Sequence, residues 1–206
     1  MELIPYRCYK IQNLKGIIYM SEQIEQHIQD HKEALLQQLN TLIIGNRNRF
    51  IEQYGEGEQA RYATSTKPLV DTVVKAHLSG ERTVGCYYAG KASKFLCFDI
   101  DEKDPSIPLK LLHFLKDAGF KSEELHVEYS GLKGWHIWLF FKELVPISQL
   151  VTFGDYLIKR LGSMGKKIEL RPEKSENSRR HQVAICKASQ NKCAYNLFTA
   201  RFAITG

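Results

Sequence analysis

Between residues 95 and 171 the apolar pattern alternates between two periods, and their order restricts the fold more than any other feature of the chain. "KFLCFDID", "LHVEYS", "WHIWLFF" and "KIELR" alternate as strands do. Residues 108–118, closed by Gly119, and a segment beginning near Pro146 carry the three- and four-residue spacing of helices. The resulting order is β-α-β-β-α-β. Few folds accept it, because two helices must cover the same face of one antiparallel sheet.

The expected fold class is therefore α+β, with a ferredoxin-like split βαβ core at 95–171 in the layout of the RNA-recognition fold. Side chains alternate between the faces of a sheet. Leu96, Phe98 and Ile100 then share one face with Ile137, Leu139, Phe141, Ile168 and Leu170, which suits packing under the helices. Asp99, Asp101, His136, Glu169 and Arg171 fall on the other face. The usual strand order puts the first strand between the third and the fourth, so His136 and Glu169 should flank the aspartates.

The rest of the chain is read more simply. Residues 21–44 are spaced as an amphipathic helix with Ser21 as its N-cap, "GNRNRFIEQYGEGEQARY" is expected to be a loop, and residues 68–79 form a second helix stopped by Gly80. "TVGCYYA" and "KFLCFDID", separated by "GKAS", predict a hairpin. This divides the chain into a mainly helical region, 1–80, and a second region, 81–206, that holds the RRM-like core, as one integrated domain. With 43% hydrophobic and 25% charged residues the composition is that of a globular protein. "MELIPYRCYK" does not resemble a secretion signal, and the expected compartment is the cytoplasm. Five cysteines at scattered spacings suit reduced thiols. Cys186 and Cys193 form a C-x6-C pair that is weak as a zinc site without two further ligands.

Three carboxylates converging without matched cations would repel one another, and Asp99, Asp101 and Glu169 therefore ask for a metal. Hard oxygen donors suit Mg²⁺ or Mn²⁺, and two such ions can support phosphoryl transfer. The connection "YSGLKGWHIW" adds Ser130, Lys133 and His136, whose donors suit phosphate, among glycines that let backbone approach an anion closely. The net charge of +6 favours a polyanionic partner. Lys166, Lys167, Arg179 and Arg180 are the candidates to hold a nucleic-acid backbone. Trp138, Tyr87 and Tyr88 are expected to pack in the core or between subdomains.

"FLCFDID", "YSGLKGWHIWLFF" and "KIELRPEK" together resemble the three motifs of the archaeo-eukaryotic primase superfamily, the catalytic domain of primase-polymerases. The S-G-x-K-G-x-H form of the middle motif is the specific part. "HLSGERTVGCYYAG" is similar to a segment before the first acidic motif in primase domains found beside helicases and in mobile-element or defence contexts. The resemblance spans about residues 68–187 by these motif positions. It implies that Asp99, Asp101 and Glu169 hold catalytic divalent metals and that Ser130, His136 and Lys133 contact the triphosphate of an incoming nucleotide. It also implies a smaller α/β subdomain packed on the RRM-like one, with the site between them. The partners implied are NTPs or dNTPs, a single-stranded or primed DNA template, and a helicase domain or subunit. Arg171-Pro172-Glu173-Lys174 departs from the aromatic-Pro-Lys run of many relatives, and two roles stay open for Arg171: contacting phosphate, or an ion pair that positions Glu169. Two other function classes remain: a metal-dependent nuclease, which could use the same carboxylates but would not need Ser130, Lys133 and His136, and a non-catalytic RRM-like nucleic-acid-binding module, which normally presents stacking aromatics where this face carries acids.

Overall fold

The computed structural model describes residues 14–55, 59–129, 134–173 and 182–184. Helix α1 (Leu14–Leu42) leads into strands β1 (Asn46–Tyr54) and β2 (Arg61–Ser65), helix α2 (Asp71–Leu78) and strand β3 (Thr83–Tyr87). Strand β4 (Ala92–Ile100), helix α3 (Ser106–Asp117), strands β5 (His126–Tyr129) and β6 (Trp135–Pro146), helix α4 (Ile147–Arg160) and strand β7 (Ile168–Arg171) follow. Strand β8 (Gln182–Ala184) comes last. The molecule is mixed α/β with two antiparallel four-stranded sheets, ordered β2-β1-β3-β8 and β5-β6-β4-β7.

Three local expectations are corrected. Ser21 does not cap α1, which begins at Leu14 and leaves Ser21 inside the helix. The upstream residues "LKGIIYM" contain no proline and carry the helix through Ser21. The polar stretch after α1 is not a loop but the β1–β2 hairpin. Its strand character is hard to see because Phe50 and Ile51 are consecutive apolar residues among polar ones, and because the acid at 52 is buried through an ion pair rather than replaced by an apolar residue. Finally, β3 and β4 do not form a hairpin ladder. A single bridge, Ala89↔Ala92, closes the turn at Gly90 (φ 64°), and the strands then part into different sheets. β3 pairs instead with β1 and β8 in the other sheet.

The alternation of β4 sets the two cores. Leu96, Phe98 and Ile100, with Ile137, Leu139, Ile168 and Leu170, bury against Ile107, Leu111 and Leu115 of α3 and Leu150 and Leu157 of α4. On the opposite face Phe95, Cys97 and Trp138 pack with Leu35, Leu36 and Leu39 of α1, Phe50 of β1, Val74 and Leu78 of α2, and Val84 and Cys86 of β3. The second core covers only part of this face. Tyr87 and Tyr88 are buried, and Phe95, Trp138 and Phe140 form an aromatic group in which the Trp138 and Phe140 rings stack at 6.0 Å. Among the described residues no helix is long and apolar enough to cross a membrane.

Candidate active site

The partly covered face of the β4 sheet carries one polar row that crosses all its strands. Glu128 of β5 is the register partner of His136 on β6, His136 of Asp99 on β4, and Asp99 of Glu169 on β7. The next row inward is His126, Trp138, Cys97 and Arg171, and beyond it lie Phe140 and Phe95. The polar row therefore lies where the apolar packing ends. Period-two alternation alone would put these side chains on one face; the antiparallel pairing brings them level.

Asp99 Oδ1 lies 3.3 Å from His136 Nε2, and Asp99 Oδ2 lies 3.7 Å from Arg171 Nη2. His136 Nδ1 lies 3.2 Å from Glu128 Oε2. Burial opposes the charged imidazolium, yet the hydrogen bonds to Asp99 and Glu128 outweigh it and raise the pKa of His136 to about 10. The hydrogen bond from His136 in turn holds the Asp99 carboxyl below its ordinary range, with a smaller contribution from the Arg171 charge. Arg171 spans the other end of the row. Its Nη2 donates to Glu169 Oε2 at 2.7 Å and its Nη1 to Glu173 Oε1 at 2.6 Å, so the ion-pairing role left open for Arg171 is occupied here.

The acids are thus not without cations, which corrects the premise that they converge unmatched. Carboxylates nevertheless outnumber cations around Asp99, Asp101, Glu169, Glu128 and Glu173. Asp101 lies one residue past β4, exposed, where its amide donates to the Lys167 carbonyl at 3.0 Å and continues the β4–β7 ladder. Gly134 is needed at this end of the sheet. A Cβ there would overlap the Ile100 carbonyl oxygen and stand 2.9 Å from the Glu102 amide nitrogen. That glycine of the motif therefore serves a close backbone approach beside the aspartates.

Among the described residues, no three His, Cys, Asp or Glu side chains form a ready-made metal cage. By donor chemistry Asp99, Asp101 and Glu169 still fit a hard divalent ion, being three carboxylates at one end of one sheet face. Lys166 and Lys167 are exposed in the turn before β7, with Lys167 Nζ 3.7 Å from Glu102 Oε2. Ser130, Lys133, Arg179, Arg180, Cys186 and Cys193 lie outside the described residues. Burial raises the Cys86 thiol to about 11 and pushes Cys97 well up, so neither is a nucleophile at neutral pH.

Glu128 is the residue that the sequence reading missed. It is 2% exposed, and its Oε2 also accepts the Trp138 indole N–H at 3.1 Å. Alternation extended to "LHVEYS" finds it, since Glu128 has the parity of His126 and pairs with His136.

No curated protein matches the chain. The family model described as "TOTE conflict system, Archaeo-Eukaryotic Primase domain" matches residues 45–173. The matched span begins just before β1, so it includes the β1–β2 hairpin, and it ends just past β7, so it contains the whole polar row. With well over half of its length matched, and with the acids and histidine of that span aligned on one sheet face, the chain belongs to the archaeo-eukaryotic primase family of TOTE conflict systems.

Proposed function

We propose that this protein catalyses template-directed nucleotidyl transfer from an NTP or dNTP, as a primase-polymerase. The observation that carries the reading is the level placement of His136 and Glu169 on either side of Asp99, at the open end of the sheet face. A 3′-hydroxyl attacks the α-phosphorus of the bound triphosphate. The new P–O bond forms as the bond to pyrophosphate breaks, without a covalent enzyme intermediate. Asp99, Asp101 and Glu169 would hold Mg²⁺ or Mn²⁺, which supplies charge neutralisation and polarises phosphoryl oxygens. His136 offers its Nε2–H, which faces Asp99 at 3.3 Å, to phosphate oxygens beside those acids, with Ser130 and Lys133 of the preceding connection completing the triphosphate contacts. Lys166, Lys167, Arg179 and Arg180 hold the backbone of a single-stranded or primed DNA template, and a helicase domain or subunit is the expected companion.

This reading takes β4 to β7 with α3 and α4 as an RRM-like subdomain. The N-terminal elements form the smaller subdomain on its partly covered face, within one integrated domain. Priming and primer-extension assays with Mg²⁺ or Mn²⁺ test it. Wild type should make oligonucleotide products and the Asp99→Ala, Asp101→Ala double variant should not. Equal product from the double variant overturns the assignment, and strand degradation without nucleotide-dependent synthesis would mark a nuclease instead.

A further inference from the structure

We propose that Glu128 is a positioning residue that fixes the imidazole of His136, with Trp138 as the anchor that aims it. The inference rests on the nucleotidyl-transfer reading for its purpose, and on geometry for its substance. A carboxylate at 2% exposure has to be paired. Here both donors meet the same oxygen: Trp138 Nε1–H at 3.1 Å from within the core, and His136 Nδ1 at 3.2 Å from the site side. Oε1 has no hydrogen-bond partner among the described residues. Both donors fall on Oε2, so the indole holds Oε2 in place and Oε2 commits Nδ1.

With Nδ1 committed, Nε2 is the nitrogen left facing Asp99, at 3.3 Å. The Trp138 ring also meets the imidazole edge-to-face, with centroids 6.0 Å apart and planes at 81°. The ring is thereby held both in plane and in the identity of the nitrogen it offers, as an outer partner does for a metal-bound histidine. A 180° flip of the ring would put a carbon where Nε2 must meet phosphate.

The test combines binding of an α,β-methylene nucleoside triphosphate in the presence of Mn²⁺ with ¹H–¹⁵N spectra of the His136 ring in metal-free protein. Glu128→Gln should weaken triphosphate binding by about tenfold or more and shift the His136 ring nitrogen signals. Its effect on binding should vanish in a His136→Gln background, since a residue acting through another has nothing left to act on. Unchanged ring signals, or an equal loss of affinity in the His136→Gln background, overturns the proposal. If Glu128→Gln fails to fold, Glu128→Asp keeps the charge but draws the carboxylate back from both donors, and it should move the same ring signals; no movement overturns the proposal. A wild type that binds no triphosphate defeats the nucleotidyl-transfer reading instead, and the ring signals then decide the positioning role by themselves.

Discussion

Two buried glutamates, one in each sheet, are satisfied in opposite ways. Glu52 on β1 is held by Arg82, whose Nε and Nη2 donate to its two oxygens at 2.6 and 2.7 Å, while the Tyr54 hydroxyl donates at 2.9 Å. Both oxygens are used, and Arg82 keeps the Glu52 carboxyl below its ordinary range. Glu128 on β5 gathers both of its donors on one oxygen. The symmetric pair closes on itself and ties the start of β3 to β1. The lopsided one passes its constraint on to His136 and, through it, to Asp99. What distinguishes the two acids is the partner: Glu52 closes on an arginine outside the polar row, and Glu128 closes on a histidine within it.

The largest effect should come from the acids themselves. Asp99→Ala with Asp101→Ala should lower nucleotide incorporation at least about a hundredfold with the circular dichroism spectrum unchanged, whereas Arg82→Ala should leave the triphosphate affinity of the folded fraction intact. If Arg82→Ala weakens that affinity as Glu128→Gln does, the contrast between the two glutamates collapses. Next in size, Arg82→Ala should cost about 1–3 kcal/mol, the penalty for leaving a buried acceptor unpaired. The lower part of that range applies because Arg82 is partly solvated. A shift in urea midpoint without a change in slope measures it.

A smaller effect sharpens the comparison through pH. His136, raised to about 10 from an ordinary 6.5, binds its proton more tightly in the folded chain than in the unfolded one. Its stabilising contribution is complete below pH 6.5 and is lost as pH rises through 10. Asp99 and Glu52 are depressed, so their contributions are present above the usual carboxylate range and fall away in acid. In metal-free protein, His136→Asn should therefore flatten the decline in thermal midpoint between pH 6.5 and 10, while Arg82→Ala should leave that alkaline limb in place. The smallest change in stability should follow Lys166→Glu with Lys167→Glu, under about 1 kcal/mol because the Lys167–Glu102 pair is exposed and long. Single-strand affinity should nonetheless fall, with the salt slope reduced by about 0.7 for each phosphate contact removed.

Much of the β4 sheet was legible because its apolar residues alternate cleanly. Leu96, Phe98 and Ile100 had to face one way and Asp99 the other, whatever the chain's partners were. The β1–β2 hairpin was not legible. Its outward residues are polar, its core contact at Phe50 is brief, and Glu52 is acceptable inside only because Arg82, thirty positions later, returns to it. The β3–β4 separation was likewise hidden, since a hairpin turn reads the same whether its strands pair or part.

For the site, local pattern placed Asp99, Asp101, His136, Glu169 and Arg171 on one face, and their chemistry follows from residue type. Which of them meet was decided by the antiparallel register, a relation between segments dozens of residues apart. The register set Asp99 and Glu169 in one row with His136 and Glu128, and put Arg171 in the next row within reach of both Asp99 and Glu169. Sequence alone determined the parity of each side chain, because that is a property of the strand's own backbone. Tertiary structure decided the partners and charge balance of Asp99, because hydrogen bonds and ion pairs form only at distances that the packed sheet sets.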